Sequence, residues 1–105
     1  MNEPLYIIGA GGHATSVAET AFAANLNLQA FISLDPSTTE LLGIPILAAI
    51  PQQMYSKSIK LVIAIGDNYQ RESVFNSLKV QFPIESFPSL IHPSASVALR
   101  AVIGF

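Results

Sequence analysis

The segment Leu5-Tyr6-Ile7-Ile8-Gly9-Ala10-Gly11-Gly12-His13-Ala14 constrains this chain more than any other. Four consecutive apolar residues run straight into a glycine-rich turn, and a helix-like segment follows. A strand that is apolar on both faces belongs at the centre of a parallel sheet, where helices cover both sides. The amides that open the next helix lack intrahelical acceptors and carry the positive end of its dipole, so the turn can hold a phosphate without a lysine. Gly9, Gly11 and Ala14 fit the dinucleotide fingerprint with alanine in its last small position, and Asp35 follows about twenty residues later, where an acidic group would meet a ribose hydroxyl. The same residues also satisfy a tight strand-to-helix turn that holds no ligand, and the motif alone does not choose between NAD and another nucleotide.

The pattern repeats downstream. Ala14, Val17, Ala18, Ala21 and Phe22 recur at helical spacing and predict a helix over Thr15 to Asn25, with Asn25 as its stop. Leu28 to Leu34 reads as a second strand ending at Asp35-Pro36. Gly43 to Leu47 reads as a turn and a short extended piece, since Pro45 removes a ladder donor, and Ala48 to Ser56 as a short helix with Pro51 in its first turn. Lys60 to Ile65 is a third strand that also ends in glycine, at Gly66-Asp67-Asn68. Tyr69 to Lys79 follows as a helix capped by Asn68 and buried through Val74, Phe75 and Leu78. Glu85 to Ser89, between Pro83 and Pro88, would be a fourth strand. Strands alternating with helices predict an α/β fold, a Rossmann-like open parallel sheet of about four strands over residues 1–90. Ligands bind such sheets outside the carboxyl ends of the strands, where both glycine turns would sit.

Composition narrows the function. The chain of 105 residues is sized for one domain, and with 11% charged residues and a formal net charge of -2 it offers neither a nucleic-acid surface nor a basic membrane face. The absence of cysteine excludes disulfides and thiolate metal sites, and the two histidines and unclustered acidic residues argue against a metal site of another kind. No apolar run is long enough to span a bilayer and no leader pattern opens the chain, which predicts a soluble cytoplasmic protein without membrane insertion. With half its residues hydrophobic and few charges, the chain is expected to have some apolar surface covered by a partner or by missing chain.

From Ile91 the period changes. Ile91, Val97 and Ile103 are six residues apart, and Ala95 and Ala101 keep the same interval. A six-residue period suits a parallel β-helix, so residues 91–105 read as an incomplete hexapeptide-repeat tail, while an apolar tail packed on the domain would satisfy the same residues. Less than one coil is expected here, and such a piece would pack on the α/β domain, fray, or associate with another copy.

Three motifs, the opening Leu5 to Ala14, Ile63-Ala64-Ile65-Gly66-Asp67-Asn68 with Arg71, and Ile91-His92-Pro93-Ser94-Ala95-Ser96-Val97, resemble in order and spacing the bacterial sugar O- and N-acyltransferases of the sialic acid O-acetyltransferase and UDP-amino-sugar acetyltransferase type. The resemblance covers essentially the whole chain. It implies a Rossmann-like domain that binds a UDP-sugar acceptor, followed by a left-handed β-helix that binds acetyl-CoA as co-substrate and forms a homotrimer, with direct acetyl transfer to a sugar amine or hydroxyl. It implies further that Gly11, Gly12 and His13 cradle the UDP phosphates and ribose, that Asp35 lies near the nucleoside, and that Gly66 helps close the pocket; Gly9 joins them as a substrate-binding candidate, while Asp67 and Asn68 either bind the ligand or cap the following helix. Pro36 stands where the family often has a second acidic residue. The catalytic histidine and the CoA-binding coils are expected beyond Phe105, leaving no catalytic residue and no bound cofactor on this chain; His92, next to Pro93 at the entry to the repeats, reads as structural.

Individual residues keep alternatives. His13 can contact a phosphate or merely occupy an exposed first turn, and Asp35 can meet ribose or end its strand through its own turn chemistry. Arg71, in the first turn of a helix where the dipole does not favour a cation, either meets an acidic partner or is solvated. At the level of the chain the alternatives are a small NAD(P)-binding or regulatory Rossmann domain, drawn from the fingerprint and Asp35, and an assembly module that docks through its tail.

Overall fold

A computed structural model describes residues 3–34 and 38–87. Asp35, the end of the expected fourth strand, His92 and the six-residue repeats lie outside the described residues. The order of elements is β1 (Pro4–Ile8), α1 (Gly12–Ala23), β2 (Asn27–Ile32), β3 (Glu40–Leu41), β4 (Ile44–Leu47), β5 (Lys60–Ile63) and α2 (Asn68–Leu78), with single 3-10 segments at Gln52–Ser56 and Ile84–Ser86. One sheet of order β3-β4-β2-β1-β5 results, parallel throughout except for the β3–β4 pair. The expected α/β architecture is therefore present, with five strands in a mixed sheet.

Apolar runs put the core on β1, β2 and β5. Leu5, Ile7, Phe31, Leu61, Val62 and Ile63 are all but inaccessible to solvent, and each aliphatic or aromatic side chain withdrawn from water in this way contributes about 1.5–3 kcal/mol. α1 packs on β1 and β2 through Ala14, Val17, Ala18 and Ala21, whose small side chains let helix and sheet approach closely. Phe22, expected on that face, is instead half exposed, because it sits at the margin of a stripe already filled by alanines. The helix ends where Asn25 adopts φ 57°, with Asn25 N donating to Phe22 O (3.1 Å) and Leu26 N to Ala21 O (2.9 Å). This is a Schellman closure, for which asparagine is the usual substitute for glycine.

Three segments depart from the sequence reading, the first being the short helix expected over Ala48 to Ser56, which is a 3-10 segment confined to Gln52–Ser56 with Pro51 as its N-cap. Gly43 to Leu47 belongs to a hairpin with β3, turning through Leu42 (φ 54°) and Gly43 (φ 79°), the two positive φ angles of a type I′ turn. The expected fourth strand at Glu85 to Ser89 is replaced by the 3-10 segment Ile84–Ser86, with Ser86 N donating to Pro83 O (2.9 Å). Pro83 cannot donate to a ladder, and the segment binds through side chains instead. Phe82 and Phe87 are buried, Phe87 meets Phe75 edge-to-face at 5.0 Å, and Lys60 Nζ donates to Glu85 O (2.7 Å). These contacts cover the outer edge of β5, which is otherwise an open row of donors and acceptors. At the amino end of the sheet, Glu3 accepts a hydrogen bond from the Ser58 hydroxyl and pairs with Lys60 at 3.4 Å.

Candidate functional site

The carboxyl ends of β2, β1 and β5 are level, since Ile8 is in register with both Ile32 and Ile63. The ladder continues one residue further, with Gly9 N donating to Ile32 O (2.7 Å) and Ala64 N to Ile8 O (2.8 Å). From β1 the chain moves first to β2 and β4 on one side and returns to β5 on the other, so the strand order reverses between β1 and β5. Such a switch point opens a crevice between loops that diverge from the sheet edge. Both glycine turns lie on it.

The glycines of the first turn differ in what requires them. Gly9 has φ +124°, and a Cβ there would fall 2.5 Å from the Ala64 carbonyl oxygen, so close packing of β1 on the end of β5 excludes any side chain. Gly11 and Gly12 face open space, with no atom within 4 Å of an added Cβ. Gly11 is the N-cap of α1; no side chain caps this helix, and no acidic residue stands in its first turn. Its opening amides therefore face the crevice with the positive end of the dipole. His13, exposed in the first turn of α1, reaches across to the second turn: its Nε2 and Cδ2 lie 3.1 and 3.2 Å from where a Cβ on Gly66 would stand. The structure thus brings Gly9, Gly11, Gly12, His13 and Gly66 to one crevice.

The second turn is closed by its own side chain. Asp67 is the N-cap of α2, its Oδ1 accepting from Gln70 N at 2.9 Å. The cap expected at Asn68 is thereby corrected by one position: Asn68 already has helical geometry, and its side-chain oxygen accepts from the Arg71 guanidinium. Val74, Phe75 and Leu78 of α2 are half-buried and pack on the core, with no residue of this helix fully buried.

Beside the first turn lies a cavity of about 750 Å³ between the end of β2 and α2. It is lined by Ile8, Gly9, Ile32, Ser33 and Leu34 from the ends of β1 and β2, by Ile65, and by Tyr69, Gln70, Ser73 and Val74 of α2. Of these only Gly9 was a candidate from sequence. The others carry no motif, and the signal available was positional: Ser33 and Leu34 follow one strand directly, and Tyr69 follows the second glycine turn. Two described groups away from the crevice have displaced acidities. The Ser58 hydroxyl, aided by the charge of Lys60, holds Glu3 below the ordinary carboxylate range, and burial pushes the Tyr6 phenol above its usual value. Among the described residues no three His, Asp or Glu side chains gather as metal ligands, and no helix is long and apolar enough to cross a membrane.

Residues 4–78 match the family model described as the PglD N-terminal domain, a span that contains both glycine turns, both α-helices and all five strands. No curated protein and no solved structure matches the chain at a significant level.

Proposed function

The chain belongs to the PglD N-terminal domain family, the N-terminal domain of PglD-type acetyltransferases, and on that premise we propose that it holds a UDP-sugar acceptor with the diphosphate at the N-terminus of α1. The observation that carries this reading is the contrast between the two helix ends at the crevice. α1 opens without a side-chain cap and behind two glycines that no packing among the described residues requires, whereas α2 is capped by Asp67. A diphosphate is stabilised by uncapped amides and dipole together, and glycines without Cβ atoms let the backbone approach it. His13, bridging to Gly66, is placed to donate to a phosphate or sugar oxygen.

In the reaction the acceptor's amine or hydroxyl attacks the acetyl-CoA thioester carbonyl, the C–S bond breaks, and the acceptor's proton passes to a base. The part assigned to the described residues is to bind and orient the acceptor. Acetyl-CoA as co-substrate, the hexapeptide β-helix and a homotrimeric assembly belong to the same proposal and involve residues outside those described.

Calorimetric titration with UDP, a UDP-sugar, NAD and NADP tests the reading. UDP and the UDP-sugar are expected to bind. Absence of heat at ligand concentrations on the order of millimolar, where about 4 kcal/mol of binding free energy would register, refutes it. Binding of NAD or NADP in preference to UDP would favour the regulatory Rossmann domain that the Gly9, Gly11 and Ala14 fingerprint also allows.

A further inference from the structure

The chain is divided in charge. Lys57 is its first lysine or arginine, so Glu3, Glu19, Asp35 and Glu40 precede every basic residue, while Lys57, Lys60, Arg71, Lys79 and Arg100 outnumber Asp67, Glu72 and Glu85 in the remainder. The fold turns this division of sequence into one of space. β2, β4 and β3 take one side of β1, and β5 takes the other. Each flank also carries exposed apolar side chains. Leu34 and Tyr69 line the cavity, but Phe22, Leu42, Tyr55 and Val80, also exposed, fall into two pairs, one on each flank.

On the acidic flank, Phe22 lies near the end of α1, just before the chain enters β2, and Leu42 lies in the turn that opens β4, which runs parallel to β2 beside it. Both therefore stand at the amino end of the sheet on the same side. Among the described residues no α-helix follows β2, β3 or β4, so the helix layer does not continue past α1 over the hairpin. Glu19, three residues before Phe22, and Glu40, two before Leu42, are exposed. On the basic flank, the Tyr55 ring packs on Phe82 with centroids 5.0 Å apart, which brings the Gln52–Ser56 segment against the turn that carries Val80. Lys57 is exposed two residues after Tyr55, and Lys79, next to Val80, lies over the Phe75 ring at 5.8 Å from its centroid. Among the described residues neither lysine pairs with a carboxylate, whereas Lys60 is engaged by Glu3.

We propose that the two flanks are the two halves of one interface: the Phe22 and Leu42 face of one copy docks on the Tyr55 and Val80 face of a second copy, with Glu19 and Glu40 set against Lys57 and Lys79. An apolar centre within a polar rim is the common anatomy of a protein interface. The charges select the pairing. Two like flanks would place carboxylate against carboxylate or lysine against lysine, so the contact is head-to-tail and not two-fold. α2 returns from the carboxyl end of β5, so both faces lie at the amino end of the sheet and association leaves the glycine turns open. The interface uses no residue of the nucleotide-sugar reading and is independent of it.

Sedimentation velocity of the full chain over a concentration series, at low and high salt, tests the proposal. The unaltered chain should self-associate, and less so at high salt. Glu19→Lys with Glu40→Lys, and separately Lys57→Glu with Lys79→Glu, should each weaken association at least about tenfold, because one reversed flank then meets its own sign. Mixing the two double variants, or combining all four substitutions in one chain, should restore association, since every flank again finds its opposite. Thermal melts establish that the variants remain folded, as expected for side chains this exposed. A chain that stays monomeric at every concentration overturns the proposal. So does association indifferent to both charge reversals, which would place the contact elsewhere, or a loss that mixing fails to restore.

Discussion

Replacing Gly9 by alanine should cost far more than replacing Gly12, although the two are separated by only two residues of the same turn. At Gly9 two penalties coincide. A side chain at φ +124° occupies backbone space open essentially to glycine alone, a strain of about 1–3 kcal/mol. The new Cβ also stands 2.5 Å from the Ala64 carbonyl oxygen, where ordinary contact begins at 3.4 Å. Neither backbone can yield cheaply, because Gly9 N is bonded to Ile32 O and Ala64 N to Ile8 O, and such overpacking adds about 1–3 kcal/mol. The combined loss of about 4 kcal/mol is a large part of the stability of any small domain and corresponds to a fall in Tm of about 16–32 °C. At Gly12 an added Cβ meets nothing within 4 Å and the position is helical, so alanine should leave stability unchanged or raise it by about 0.4–1 kcal/mol. Urea unfolding followed by far-ultraviolet circular dichroism measures both. In the same preparations Gly12→Ala should weaken UDP about tenfold, or ~1.4 kcal/mol, by filling the space assigned to phosphate. Equal unfolding midpoints for the two variants would refute the packing argument, and full UDP affinity in Gly12→Ala would refute the assignment of the open space.

Further outcomes follow from single contacts. Asp67→Ala removes the cap of α2 and should lower stability by about 1 kcal/mol in urea unfolding, whereas Asp67→Asn should retain most of it. Gly66→Ala places a Cβ against the His13 ring and obliges the ring to shift; calorimetry should show weaker UDP binding with little change in Tm, and a large fall in Tm would instead make Gly66 a packing glycine. Glu3 has a folded-state pKa lowered from 4.5, so its stabilising contribution is present above that value and is lost as pH falls through the lowered one. The difference in urea midpoint between the native chain and Glu3→Gln should therefore be constant near neutrality and vanish in acid; a difference that grows in acid would contradict the contact with Ser58.

The inner sheet was legible because its strands bury both faces, which leaves unbroken apolar runs at Leu5 to Ile8 and Lys60 to Ile65. The stop of α1 at Asn25 was legible for a local reason, since few residues other than glycine accept the left-handed conformation that ends a helix. The β3–β4 hairpin was read only as a turn and an extended piece. Its first central position is Leu42, which does not announce a type I′ turn, and Glu40–Leu41 is a strand only because β4 lies beside it. Glu85 to Ser89 was read as a strand between two prolines, but Pro83 and the aromatic contacts of Phe82 and Phe87 made a packed 3-10 segment the better use of Ile84–Ser86.

At the candidate site the two glycine turns looked equivalent in sequence and are not equivalent in charge. Either Asp67 or Asn68 can cap a helix, and which of them does so depends on the residue at which helical geometry begins, a boundary that composition does not mark. With Asp67 as the cap, a full negative charge sits at the end of α2 against a dipole equivalent to roughly half a positive charge, so this end has little left to offer an anion. The end of α1, fronted by Gly11 and Gly12, keeps its whole attraction. The cavity walls carry no motif, and their positions after a strand and after a glycine turn become meaningful only when β2 and β5 take places on opposite sides of β1. Under the proposed reading, phosphates are therefore expected over the opening amides of α1 and not beside the Asp67 carboxylate.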